Sequence, residues 1–429
     1  MVYPAKHSHI KKKDQGKKTP ETVTSKSPEI QAPPEQLDIS LLSMGSVISL
    51  QKIIGNQSIQ RVLANQALPV KQHAPSNTIQ RAETGLRRGF SINKFARLAK
   101  TFYSTNGAKP IADLITHLEN TVNVALKSAD VPPVKIINGA AGANGEFDFT
   151  VWSIALNKGT AFPGATNVSD ISEAKMSDVA DTIYHEARHG EQWYRMARMR
   201  AGEALQGDTT VSKQKKVAND VATEMGIPAN IALKAAKKPL YESYSAKRTG
   251  KEDKMMTESK AWYNSVYGTN SDYRELVLGA FDTDSNSMKS KTSDMWNAIP
   301  NNFGTLPQVQ KDAILVTYRG HRNQAVTIKG RLEGYRDGQI ATEITRINGL
   351  SDEAKTTVEE TMLLHLTAMK TAIDQIEAKW PPNTKDKIAE IYGHADTLAT
   401  ECYQAYKDLP EEADAWPTGG AVATKYGQL

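Results

Sequence analysis

Three residues near the middle of the chain, His185, Glu186 and His189, have the types and the spacing to do chemistry on a metal-bound water. On an α-helix, residues four apart lie one above the other on the same face, so the two imidazoles can converge on one metal ion. Glu186 sits about a third of a turn from His185, close enough to hold a metal-bound water and to accept its proton. H-E-x-x-H on a helix is therefore two ligands and a general base. Two histidines do not complete such a site. Hydrolytic centres use three protein ligands and leave one position for water, so a further His or a carboxylate must come from elsewhere in the fold.

The surrounding segment, A-D-T-I-Y-H-E-A-R-H-G-E-Q-W-Y-R-M-A-R-M over Ala180–Met199, has to be helical for this geometry to exist. Ser177 is the expected N-cap and Asp178 an acidic first turn, and no proline interrupts the two dozen residues that follow. Val179, Ala180, Ile183, Ala187, Tyr194 and Ala197 recur at helical spacing and form the expected core stripe. Asp178, Thr182, His185, His189, Gln192 and Met196 make a separate, mostly polar wall, as on a helix with its back in a core and its front on a cleft.

The whole chain narrows the alternatives. Its 429 residues suffice for a sizeable core and two or more structural units. The net charge is only +5, and much of it comes from Lys6, Lys11, Lys12, Lys13, Lys17 and Lys18. Scattered lysines without interleaved aromatic residues argue against a nucleic-acid partner. Cys402 is the sole cysteine, which excludes an internal disulfide. No run of about 18 apolar residues is present, so no membrane span is expected. The N-terminal lysines lead into Pro, Gln, Thr and Ser instead of an apolar core, so no secretory signal is expected either.

In chain order, residues 1–40 read as a disordered basic arm. Residues 41–83 read as two short amphipathic helices broken at Gly55 and followed by a polar linker. Residues 84–206 hold a helix over Pro110–Ala129, strands over Val134–Asn138 and Glu146–Asn157 with a turn at Gly139–Gly145, and the H-E-x-x-H helix. Residues 207–350 read as a helical insertion, with helices over Ser212–Met225 and Pro228–Lys237 and polar stretches at Gly268–Ser271 and Asp282–Ser293. Residues 351–429 hold helices over Asp352–Lys379 and Lys385–Lys407, broken at Pro381-Pro382 into an expected hairpin, and then an acidic run. The fold class expected is α+β, mostly helical.

Two resemblances sharpen this reading. Ile54-Gly55-Asn56-Gln57 leading to Gln60-Arg61-Val62-Leu63, then a linker and Ile79-Gln80-Arg81, resembles the leader of proteins associated with extracellular contractile injection systems. That resemblance implies synthesis in a bacterial cytoplasm, association with the tube lumen or baseplate of a phage-tail-like particle, and export within it into a target cell. Helix, strand, strand and H-E-x-x-H helix together resemble the upper half of the zincin metallopeptidase fold, here with a large helical insertion and a C-terminal helical hairpin. The resemblance implies a zinc ion, a protein substrate, and a strand near Ser153–Asn157 that pairs with an extended peptide.

Metzincins place a third His six positions after the second, and here that position is Arg195. Gluzincins supply a Glu from a later helix instead. Leu409-Pro410-Glu411-Glu412-Ala413-Asp414-Ala415-Trp416 resembles their pattern, with Glu412 as third ligand, Glu411 as the alternative, and Asp414 as a further position or a carboxylate that orients a ligand His. His365 and His394 are reserve ligands. Tyr403, Tyr406 or His394 would steady an oxyanion, and the sequence does not choose among them. A non-catalytic docking component of the particle, with a degenerate zincin domain, is the alternative; it would have no need of a general base at Glu186. Tyr318-Arg319-Gly320 resembles one short motif of ADP-ribosyltransferases, but no Ser-Thr-Ser or Glu-x-Glu follows it.

Overall fold

The computed structural model describes residues 85–139, 144–241 and 251–429. The basic arm over 1–40, the leader over 41–83 and most of the turn over Gly139–Gly145 lie outside the described residues. The described chain is mostly helical with one small mixed sheet. No helix among the described residues is long and apolar enough to cross a membrane.

After a 3-10 turn at Gly85–Arg87 come α1 (Gly89–Thr105) and α2 (Ile111–Ser128). Pro110 precedes α2, and Leu114, Ile115, Leu118, Val122, Ala125 and Leu126 form its buried stripe. Three strands follow: β1 (Lys135–Asn138), β2 (Gly145–Asp148) and β3 (Ser153–Leu156). The alternation over Glu146–Asn157 predicts one strand, but the segment folds back on itself. β2 and β3 pair antiparallel, with Glu146 opposite Ala155 and Phe147 opposite Ile154. The Asp148 carboxylate accepts from the N–H and hydroxyl of Thr150, and Trp152 turns the chain at φ 60°. Apolar residues alternate along each arm, and the phase slips by one at Val151-Trp152, where the chain turns without glycine or proline.

β1 joins the other edge of β3 in parallel, giving the order β1-β3-β2. This corrects a second expectation: β3 is central and paired on both edges, so Ser153–Leu156 has no edge to offer a substrate. Asn157 is also engaged, its side chain accepting from the N–H groups of Gly159 and Thr160 to cap one helical turn. The strand packed next to the H-E-x-x-H helix is β2.

That helix, α3 (Glu173–Leu205), has 33 residues and spans roughly 50 Å at the usual rise. Its cap is Ser172, whose hydroxyl accepts from the N–H of Lys175. Ser177, the expected cap, is buried within the second turn. The helix stops where Gln206 and Gly207 take positive φ of 48° and 88°. The apolar stripe is buried as expected, but the opposite wall is covered too: every residue from Ile183 to Ala197 is buried.

Three more helices pack on α3, namely α4 (Val211–Met225), α5 (Ala229–Lys237) and α6 (Lys251–Val266), and they complete a first core with the sheet. A second core forms from α7 (Ser271–Leu278), α8 (Ala280–Ala298), α9 (Gln308–Tyr335), α10 (Ala341–Asn348), α11 (Thr357–Lys379) and α12 (Lys385–Lys407), with a π-helical turn at Arg336–Ile340 joining α9 to α10. The polar stretch Asp282–Ser293 is helical within α8. Phe281, Ser285, Met288, Thr292 and Met295 repeat at helical spacing and are buried, and the hydroxyls of Ser285 and Thr292 return to the carbonyls of Phe281 and Met288. α11 starts at Thr357, later than Asp352, because Thr356 and Glu359 form a capping box there.

The last helix, α13 (Pro410–Gly427), returns to the first core and lies along α3, with Pro410 in its first turn. Their approach depends on Gly419. A Cβ at this position would lie 2.3 Å from Asp181 Oδ1 and 3.1 Å from His185 Cβ, whereas a Cβ on Gly420 would meet nothing within 4 Å. Gly419→Ala is therefore expected to destabilise the protein by about 1–3 kcal/mol through overpacking. Gly420→Ala should leave it unchanged or more stable. Thermal unfolding of the pair checks this, and equal melting temperatures would refute the close contact.

Candidate metal centre

α3 presents His185, Glu186 and His189 on its covered face, and the first turn of α13 brings Glu412 to them across 223 residues of sequence, from 412 minus 189. Nε2 of His189 lies 3.1 Å from Nε2 of His185 and 3.4 Å from Glu412 Oε1; Nε2 of His185 lies 3.5 Å from Glu412 Oε2. Three ligands each about 2.0–2.1 Å from a tetrahedral ion would stand about 3.3 Å apart. The three side chains thus form a triangle whose edges have about that length, with the two edges to Glu412 ending on its two different oxygens. Among the described residues, this is the group of His, Cys, Asp and Glu whose ligand atoms converge in this way. Glu412 Oε2 is buried and has no hydrogen-bond donor, a costly arrangement that a cation would relieve. A buried His185, His189, Glu412 cluster could therefore hold a metal ion.

The tautomer of His189 is set from outside the triangle. Gln192, one turn on, donates its amide N–H groups to the Glu411 carbonyl at 2.8 Å and to Asp414 Oδ2 at 2.9 Å. Its oxygen therefore faces His189 Nδ1, 2.8 Å away, and can only accept. In the neutral ring, Nδ1 carries the proton and the Nε2 lone pair is left for a metal. Asp414, for which the sequence suggested an orienting role toward a ligand His, accepts from Gln192 instead.

Glu411, the alternative ligand, is turned away: Oε1 accepts from Arg274 Nε at 2.7 Å on α7. Tyr403 and Tyr406 line a cleft of 260 Å³ beside His185 and Glu186, together with Asn144 and Gly145 at the start of β2, Asp181, and Trp416 of α13. His394 does not reach it. It lies nine residues before Tyr403 on α12, about 14 Å along the axis, beside Lys379 and Glu390. His365 is committed elsewhere, between Glu401 at 2.5 Å and Asp408 at 3.1 Å. Glu186 points one oxygen at the backbone of β2, where Phe147 N–H donates to Oε2 at 2.8 Å, and places Oε1 3.9 Å from His185 Nε2.

The residues that the sequence did not single out are the charged ones between the histidines and beyond them. Arg188, Glu191 and Arg195 are all buried, and both arginines bond Glu191. At spacings of three and four they read as ordinary exposed helix pairs. No local signal in the sequence separates the two cases. Trp262 of α6 lies against both guanidinium groups, 5.4 Å from Arg188 and 5.9 Å from Arg195. Trp416 packs on His185 with ring centroids 5.0 Å apart.

The charges of the metal-free site follow from this packing. Burial opposes charge on Glu412, but the His189 and His185 imidazoles outweigh it and hold the carboxyl well below its ordinary range. Burial also works against a charged His189, yet Glu412 and then Glu186 push it up to about 9. Burial, with Asp178 and Glu186 adding to it against His185, lifts Asp181 to about 7. Burial and the negative charges of Glu412 and Glu186 push the Tyr406 hydroxyl far up, so it stays a donor.

A pH dependence follows. At pH 7 the metal-free His189 carries a proton that a metal must displace, so affinity should rise with pH and level off above about 9. Titration calorimetry in buffers of different ionisation enthalpy should show about one proton released per metal at pH 7. No release would refute the charged His189. Neither a protein-family model, a curated protein nor a solved structure matches this chain.

Proposed function

We propose that the chain is a zinc-dependent peptidase with His185, His189 and Glu412 as ligands and Glu186 as general base. The observation that carries this reading is the triangle of the His185, His189 and Glu412 side chains, with closest approaches of 3.1–3.5 Å, beside a cleft lined by His185 and Glu186. Two imidazoles and one carboxylate are a donor set suited to zinc, with a fourth position left for water or substrate. Bound zinc would act as a Lewis acid, bringing the pKa of water to about 7 and polarising a peptide carbonyl.

The other steps belong to the chain. Glu186, held at Oε2 by Phe147 N–H, keeps Oε1 toward the cleft to take the proton of the attacking water and pass it to the leaving amine. Tyr406 and Tyr403 border the same cleft, and Tyr406 keeps its proton, which suits a donor to a developing oxyanion. Trp416 packs on His185 and narrows the cleft. The leader-like residues Ile54 to Arg81 support a further part of the proposal, that the peptidase is cargo or effector toxin of a contractile injection particle acting on a protein of the target cell. The alternative, a non-catalytic docking component, draws support from the Phe147–Glu186 bond, which gives that carboxylate a structural role as well.

Glu186→Gln separates the two readings, because it keeps the shape and the acceptor for Phe147 but removes the base. Zinc content by elemental analysis and the melting temperature should stay near wild type, while cleavage of a peptide library falls at least about a hundredfold. Undiminished cleavage would rule Glu186 out as the base. Deleting residues 1–83 should abolish co-purification with the particle and leave a folded, metal-binding remainder; normal packaging of that remainder would sink the cargo reading.

A further inference from the structure

Gln192 ends a hydrogen-bonded line that starts far from the metal position in sequence. Asp414, which receives the Gln192 amide on Oδ2, is itself held by two arginines. Arg188 Nε donates to Oδ2 at 2.7 Å, and Arg87 Nη1 donates to Oδ1 at 3.0 Å. Arg87 belongs to the 3-10 turn at the start of the described chain, 102 positions before His189, from 189 minus 87. The same turn is fixed at two more points on α3. Leu86 N–H donates to Glu191 Oε2 at 2.8 Å, and Tyr184 OH donates to the Leu86 carbonyl at 2.9 Å. Gly85, at φ 63°, lies so close that a Cβ would fall on the Glu191 carboxylate. Leu86 is fully buried, and Arg87 also faces Glu258 of α6 at 3.5 Å.

We propose that Arg87 is a positioning residue for the metal centre. It fixes Asp414, Asp414 fixes the Gln192 amide, and the amide oxygen fixes the tautomer and ring orientation of His189. The proposal rests on the metal-site reading but not on peptidase activity. Its physical basis is that Asp414 lies between one fully buried guanidinium and one partly exposed one. Arg188, at 0% exposure, is locked by Glu191 as well, whereas Arg87, at 36%, is the member that the N-terminal turn supplies. With Arg87 gone, Oδ1 of Asp414 loses its donor and the carboxylate is free to rotate toward Arg188. Gln192 would then lose one of the two acceptors that orient its amide and keep only the Glu411 carbonyl. The turn Gly85–Arg87 is thereby linked to the metal-site side chains through Asp414 and Gln192.

Loss of a group that orients a ligand His typically lowers metal affinity 10–100-fold. Zinc affinity by competition with a chromophoric chelator should fall about tenfold in Arg87→Ala and by up to about a hundredfold in Gln192→Ala. Arg87→Ala/Gln192→Ala should be no weaker than Gln192→Ala alone, since both act through one line. The cobalt-substituted proteins should show the same altered ligand-field spectrum in all three variants, and Arg87→Lys should restore most of the loss. If Arg87→Ala fails to fold, Arg87→Gln carries the same cycle.

Fully additive losses, or an Arg87→Ala protein with wild-type affinity and spectrum, would overturn the proposal. A fall in affinity that merely tracks a lower melting temperature of the metal-free protein would overturn it too. Wild-type protein that binds neither zinc nor cobalt would remove the metal-site reading and this inference with it, an outcome distinct from the others because no variant is involved.

Discussion

Burying charge in the middle of a helix is the constraint on which the rest of this structure depends. Between Tyr184 and Met196, α3 carries two histidines, two glutamates and two arginines, none more than 8% exposed. A charge taken from water without a partner costs several kcal/mol after all relaxation. The chain answers from four directions. α13 contributes Glu412 and Asp414, the 3-10 turn contributes Leu86 N–H and, through Asp414, Arg87, α6 contributes Glu258 and the Trp262 ring, and β2 contributes Phe147 N–H. Each of these elements also packs apolar side chains into the core that α3 shares, so charge pairing and apolar burial converge on the same helix.

This also explains what could and could not be read from the sequence. The convergence of His185 and His189 is local geometry, set by helical pitch, so spacing alone conveys it. The approach of Glu412 is tertiary; only the resemblance of the acidic run to a known pattern pointed to it, while the neighbouring Glu411 has the same chemistry and is turned to Arg274. Arg188, Glu191 and Arg195 have the spacing of solvent-exposed pairs, and no local rule distinguishes a buried ion network from an exposed one. Gln192 was legible as part of the wall but not as the residue that orients His189, because that role depends on two acceptors from α13.

The sheet illustrates the same limit in another form. Alternation over Glu146–Asn157 suggested one half-buried strand, but it slips in phase at Val151-Trp152, where the chain turns into a hairpin and Val151 is exposed. The difference matters for the cleft. As a hairpin, the segment puts β3 in the centre and brings β2 against α3, where the start of β2 borders the cleft and Phe147 N–H reaches Glu186. Gly190, directly after His189, leaves room for the Phe147 ring, whose edge would lie 3.2 Å from a Cβ at that position. The H-E-x-x-H-G run thus holds its strand through the glycine and its general base through the strand.

The second core bears on the same centre. α12 ends at Lys407 and α13 begins at Pro410, joined by Asp408 and Leu409, and Leu409 is buried in the second core. Glu412 therefore stands three residues from a side chain anchored in one core while it serves as a ligand candidate in the other. Tyr403 and Tyr406, on the last turns of α12, form the cleft wall, and Arg274 of α7 holds the neighbouring Glu411. So short a connection has little slack, and a shift of the α7–α12 bundle against α3 would move Glu412 and the tyrosines together. A metal ion held by α3 and α13 together would fix Glu412 against the histidines, and its binding would add to overall stability.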